Sequence, residues 1–145
     1  MRTVNSMEKA LSEIDVQQIL VESVLENKQD FLDLQRQQLM DGARNDDAYI
    51  FNLKTGKYFY SPNYAKYKGK DSPIDLHDTG AFYAGLDIED AGNGDLNVFS
   101  NDEKDELLTQ TYGEQIFGLG SIAREQFLLD TQPIIIQNLT EQINQ

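Results

Sequence analysis

From Ser6 to Met40 the apolar positions follow a helical rhythm. Met7, Leu11, Ile14, Val21, Leu25, Leu32 and Leu39 stand three, four or seven apart, with Gln18, Lys28 and Gln35 as polar interruptions. Ser6 is placed to cap the start, and Gly42 lies just past the end, where a left-handed residue commonly terminates a helix. The polar run Asn27-Lys28-Gln29-Asp30 is where this stretch would divide, into helices of roughly 20 and 11 residues. After a loop over Ala43 to Asp47 the pattern turns β-prone. Tyr49-Ile50-Phe51 and Tyr58-Phe59-Tyr60 flank Thr55-Gly56 and predict a first hairpin.

Ser61-Pro62 then reads as a helix start, with Tyr64 and Tyr67 on one side of a short helix that Gly69 ends. Asp78 is positioned to cap a helical turn through Ala81-Phe82-Tyr83. The clearest hairpin follows. Leu86 to Asp90 and Leu96 to Ser100 alternate apolar and polar residues about the turn Gly92-Asn93-Gly94-Asp95. Asp102 to Tyr112 is predicted helical, Gly113 to Gly120 is a connection burying Ile116, Phe117 and Leu119, and Ser121 caps a final helical region to about Asn144. Pro133 either kinks that region or begins a new helix capped by Asp130 or Thr131.

Strands and helices thus segregate instead of alternating as βαβ units, which predicts an α+β fold. Its parts are a long N-terminal helical region, an antiparallel sheet with two hairpins, and C-terminal helices. The 145-residue length suits a single domain over 1–145, with a helical N-terminal arm at 1–41, a sheet-forming middle at 48–100 and C-terminal helices at 102–145.

Charge sharpens this picture. Between Ala48 and Lys70 there are five tyrosines, five lysines and no acid, inside a chain of net charge -13. Amphipathic aromatics beside lysines suit a surface that touches something. Three readings of the segment compete: tyrosines stacking on nucleic acid, an interface with protein, or tyrosines packing a sheet edge with lysines in water. The interface reading leads, because the acidic remainder can pair with this segment on a neighbouring copy. Its anchors are Tyr58, Tyr60, Tyr64, Lys66, Tyr67 and Lys68. A pI near 4.3 argues against broad nucleic-acid binding. The absence of cysteine excludes disulfides and thiolate metal sites, and the N-terminus lacks the apolar core of a signal peptide. No stretch reaches the ~18 apolar residues of a membrane span. A soluble chain, intracellular at synthesis and without membrane contact, is the expectation.

Catalytic and metal motifs find no support. Asn93, Asp95, Asn97 and Glu103 superficially imitate a calcium loop, but Val98 falls where the sharp turn needs glycine and the glutamate arrives one position early. His77 is the only histidine, so multi-histidine metal centres are excluded. No Gly-x-Ser-x-Gly frame surrounds a serine, and Gly80, Gly85, Gly92 and Gly94 form no phosphate-binding frame. The sequence predicts no enzyme, no catalytic residue, no metal and no cofactor.

Several strings carry a resemblance. They are Gln38-Leu39-Met40-Asp41-Gly42, Tyr60-Ser61-Pro62-Asn63-Tyr64-Ala65-Lys66-Tyr67-Lys68, Leu76-His77-Asp78-Thr79-Gly80-Ala81-Phe82-Tyr83 and Tyr112-Gly113-Glu114-Gln115-Ile116-Phe117-Gly118-Leu119. Across Leu25 to Ile143 the chain resembles small virion proteins of tailed bacteriophages, in particular those of phages of Bacteroides-type hosts. The Thr79-Gly80 element before a hairpin is more distantly similar to a Leu-x-x-Thr-Gly-x-Leu-x-x-Ser-Ile signature of tail-completion and neck proteins. Tyr83 and Ala84-Gly85 depart from its polar-then-Ser-Ile ending. The resemblance implies a structural subunit of the head-tail connector, a homo-oligomeric ring around the DNA channel that joins portal or adaptor to the tail. DNA would be passing cargo, and the protein would reside in the virion after assembly in the host cytoplasm. Thr79 and Gly80 would mark the turn into the central hairpin, with Gly92, Asn93, Gly94 and Asp95 as a tip free to reach a neighbour or the lumen. The alternative from charge alone is an acidic DNA mimic that inhibits a host enzyme as a monomer or dimer.

Overall fold

A computed structural model of the chain describes residues 15–60 and 73–144. The described residues contain five α-helices and one two-stranded antiparallel sheet. In chain order the elements are α1 (Val16–Glu26), α2 (Lys28–Met40), α3 (Ala81–Ala84), β1 (Leu86–Gly92), β2 (Asp95–Ser100), α4 (Asp105–Tyr112), a 3₁₀ turn (Glu114–Ile116) and α5 (Ser121–Ile143).

Among the described residues the N-terminal helical region is two helices, of 11 and 13 residues, and no single long helix spans it. Asp15 caps α1 by accepting from the Gln18 amide at 3.0 Å, and Asn27, at φ −106° and ψ 27°, separates α1 from α2. Only one residue breaks the helix, and Lys28 to Asp30 form the first turn of α2. The Asn27 side-chain amide donates to Thr131 Oγ1 of α5 at 3.0 Å, which ties the break to that helix. Ser6 and its predicted cap lie outside the described residues. At the other end, Gly42 has φ +75°, its amide donates to the Leu39 carbonyl, and the Ala43 amide donates to the Gln38 carbonyl. This pair of bonds is the Schellman arrangement, which satisfies carbonyls left open at a helix end. A Cβ at Gly42 would sit 2.6 Å from Pro73 Cβ, so close packing demands glycine as well.

Of the two predicted hairpins, the structure contains the second. In the first, Tyr49-Ile50-Phe51 and Tyr58-Phe59-Tyr60 form no ladder, because their neighbourhood hydrogen-bonds elsewhere. Ile50 donates to the Gly42 carbonyl at 2.8 Å and Leu53 to the Thr111 carbonyl at 2.9 Å, while Tyr49 makes an isolated bridge with Ala43. The turn itself survives: Asn52 receives the amides of Lys54, Thr55 and Gly56 on its side-chain and backbone oxygens. In the second hairpin Ile88 pairs with Val98 and Leu86 with Ser100, across the two-residue loop Asn93-Gly94. Both loop residues have positive φ, 56° and 82°, the type I′ geometry that matches strand twist.

Leu39, Ile50, Ile74 and Ile116 form the fully buried centre of the core, with Phe31 of α2 meeting Phe127 of α5 edge-on at 5.3 Å. α2 connects most of this. Its Lys28 reaches Asp87 of β1, and its Arg36 donates to the Tyr83 carbonyl at 3.0 Å. Gln35, a polar interruption in the sequence pattern, is fully buried. It donates to the Ile116 carbonyl and accepts from the Gly118 amide, and Gln38 repeats this with Gly118 and Gly120. Two carboxamides thereby satisfy the backbone of the connection before α5.

α5 runs unbroken past Pro133, which starts no new helix. Gly120, not Ser121, occupies the cap position, and the Ser121 amide donates to Asp47 Oδ1 at 2.8 Å. A distant carboxylate thus replaces the local cap. Its negative charge also suits the positive end of the helix.

Candidate functional site

Tyr60 and Asp75 organise the surface on which the predicted anchors fall. Asp75 is buried between Ile74 and Leu76, and the Tyr60 hydroxyl donates to its carboxylate at 3.3 Å. The same hydroxyl accepts from the backbone amides of Asp75 and Leu76, at 3.2 and 3.0 Å. Tyr83 donates to the Asp75 carbonyl, and the His77 amide to its carboxylate. Burial, with the Asp75 charge added, holds both phenols well above the usual tyrosine range, so they remain hydrogen donors. This network holds Leu76 at φ +59°, a strained conformation for a branched side chain.

The strained segment forms one wall of a cleft of about 580 Å³. Leu76, Phe82, Leu107 and Leu108 give it an apolar lining, and Tyr60, Thr79 and Gly80 border it. Lys57 and a Lys104–Asp78 ion pair at 3.2 Å supply charge. Volume and lining fall within the range of pockets that hold small molecules. Beside the cleft the chain exposes an aromatic row: Tyr49, Tyr58 and Phe59 are each at least half exposed, and Phe51 lies 5.5 Å from Tyr58. Arg44 stacks over Phe51 at 4.9 Å and binds Asp46, which holds the Asp46 carboxyl below its ordinary value.

No protein family, no curated protein and no solved structure matches this chain.

Among the predicted anchors, Tyr58 is exposed on the aromatic row, whereas Tyr60 points its hydroxyl inward and offers only its ring to the cleft. Tyr64, Lys66, Tyr67 and Lys68, with the short helix predicted for them, lie outside the described residues. Thr79 and Gly80 border the cleft directly. Gly80, at φ +90°, sits at the start of α3, and Thr79 Oγ1 accepts from the Ala81 amide. Asp78, expected to cap that helix, pairs with Lys104 instead. The tip Gly92, Asn93, Gly94 and Asp95 does not stand clear of the body: a side chain at Gly94 would meet Gln17 of α1 at 3.0 Å.

Asn97, one of the residues that imitate a calcium loop in sequence, donates to Glu89 across the hairpin at 3.1 Å. Among the described residues no three His, Asp or Glu side chains converge on a common point. His77 is exposed and meets Tyr83 edge-on at 5.0 Å. Sequence reasoning missed the cleft because its walls come from three separated segments, around residues 52–60, 74–82 and 104–112. The one available signal was Asp75 between two branched apolar residues, and that pattern marks a carboxylate in need of buried partners only once a fold is known.

Proposed function

We propose that the chain is a structural subunit of a bacteriophage neck or tail ring, joining portal or adaptor to the tail around the DNA channel. One observation carries this reading. An exposed aromatic row with the exposed Lys54 and Lys57 lies on a chain whose net charge is -13. A cyclic assembly uses heterologous contacts, so each subunit needs two unlike faces, and this charge asymmetry supplies them. The resemblance over Leu25 to Ile143 gives the setting. In that setting the acidic remainder favours passage of DNA without adhesion, because it offers phosphate no counter-charge.

Locating the chain in an electron-microscopy map of the intact particle tests the reading. Several copies in a ring at the portal-to-tail junction are expected, and density for the chain in the capsid shell or fibres overturns it. A free monomer or dimer bound to a host DNA-processing enzyme points instead to the acidic mimic.

A further inference from the structure

Two surfaces of the described residues stand apart from the core. The first is a stripe on α5. Ile122, Leu129 and Ile136 are 84%, 60% and 55% exposed and stand seven residues apart. Such a spacing returns to nearly the same side of a helix, drifting by only about 20° per heptad. Phe127 and Thr131, the buried residues of α5, fall on the opposite side. Gln126 and Pro133 lie on the same side, Glu125 stands on it too, four residues before Leu129, and Asp130 lies farther round the helix.

The second surface is the cleft beside Tyr60. Its apolar lining includes Leu107, which is 61% exposed, and its rim carries Lys57. Lys54 belongs to the same turn, and no acid occurs between Ala48 and Tyr60. No α5 residue lines the cleft, so stripe and cleft are separate parts of the surface.

We propose that the α5 stripe of one copy docks in the Lys57 cleft of the next, a head-to-tail contact that rests on the ring reading above. An amphipathic helix seated by regularly spaced apolar anchors in an apolar groove is a common recognition mode. Charge selects the occupant. Copies of an acidic chain repel one another unless the contact avoids acid against acid. The cleft's Asp78 is already paired with Lys104, so Lys57 is left to meet Glu125 of the incoming stripe, with Lys54 of the same turn near Asp130. Because stripe and cleft differ, the contact repeats from copy to copy and closes when the rotation closes.

The test uses the full chain and two exposed-site variants, Leu129→Glu on the stripe and Leu107→Glu in the cleft. The molar mass of each is followed against concentration by sedimentation, with circular dichroism confirming the fold. Lys57→Glu replaces Leu107→Glu should the latter unfold. Wild type is expected to form species larger than a dimer, and each variant alone to associate roughly tenfold more weakly or worse. Mixed together, the two variants share one intact stripe and one intact cleft, so they should form a one-to-one dimer and stop there. A wild type that stays monomeric at its highest soluble concentration overturns the proposal and assigns both surfaces to other proteins. Loss of assembly in Leu129→Glu alone, with no dimer in the mixture, overturns it in favour of stripes pairing with each other. Assembly that neither variant weakens overturns this docking but leaves the ring reading standing. Absence of the chain from the neck does the reverse.

Discussion

Helix α2 meets the C-terminal third of the chain through two polar contacts only a turn or so apart, and they are built on opposite principles. At Gln35 and Gln38, fully or nearly buried carboxamides each donate to one backbone carbonyl and accept from one backbone amide, over 2.6 to 3.2 Å. At Asp30, a carboxyl faces the Asp130 carboxyl of α5, and when ionised its Oδ2 finds no donor among the described residues. Burial first, then the hydrogen bond and charge of Asp130, push the Asp30 carboxyl up to about 6. The difference shows what a buried amide can do that a carboxylate cannot. It offers a donor and an acceptor at once and needs no proton from solvent.

The largest expected effect comes from breaking the satisfied contact. Gln35→Leu keeps a side chain of similar size in the site but strands the Ile116 carbonyl and the Gly118 amide. Leaving buried backbone groups unpaired should lower stability by about 2–4 kcal/mol, read as a lower urea midpoint at unchanged slope. A loss under roughly 0.5 kcal/mol would show that water replaces the carboxamide and that the contact is not what fixes the connection.

The sequence displayed some of this and hid the rest for physical reasons. The second hairpin was legible because Asn93-Gly94 and the alternation of Leu86 and Ile88 are local signals. The helix end at Gly42 was legible for the same reason. The first hairpin failed because β-prone residues describe a half-buried surface and not a pairing partner: Ile50 and Leu53 found their acceptors in Gly42 and Thr111. Gln35 read as a defect in an apolar stripe, since nothing local reveals that a backbone 81 residues away will need it. Likewise the cap of α5 comes from Asp47, far outside any window that could have found it. The candidate anchor Tyr58 was visible as an aromatic near lysines. The inward turn of Tyr60 was not, because it depends on Asp75.

Relieving the like-charge contact should stabilise, and pH should sharpen the contrast. The proton on Asp30 is held more tightly in the folded chain than in the unfolded one, where the carboxyl returns to its ordinary value of 3.8. Its contribution is therefore complete below that value and is lost as pH rises through about 6. Asp30→Asn retains a donor for Asp130 without the charge. Because Asp30 is partly buried and Asp130 is exposed, solvent screening limits the gain to about 1–2 kcal/mol at pH 7.5. Near pH 4 the variant and the wild type should coincide. Urea unfolding of both proteins at pH 4, 6 and 7.5 measures this, and a gain independent of pH would show that the carboxyl pair is not its source. The other acids of the chain titrate alike in both proteins, so the difference between them isolates Asp30.

The smallest expected effect lies one turn before Asp30, at a third contact with α5 that has neither charge nor strain. Thr131 is fully buried, and its hydroxyl accepts from the Asn27 amide at 3.0 Å, at the break between α1 and α2. Thr131→Val keeps the branched shape and removes the acceptor, but Asn27 is only partly buried and can turn its amide toward water. The added methyl also gains apolar burial, which offsets part of the lost bond. A net destabilisation of about 0.5–1 kcal/mol follows. A double-mutant cycle with Asn27→Ala separates the bond from the packing, with an expected coupling of about 0.5–1 kcal/mol. Zero coupling would mean that helix propensities alone set the break at Asn27. A coupling equal to the whole loss in Thr131→Val would mean that the side-chain bond, and not burial, joins the first helix break to α5.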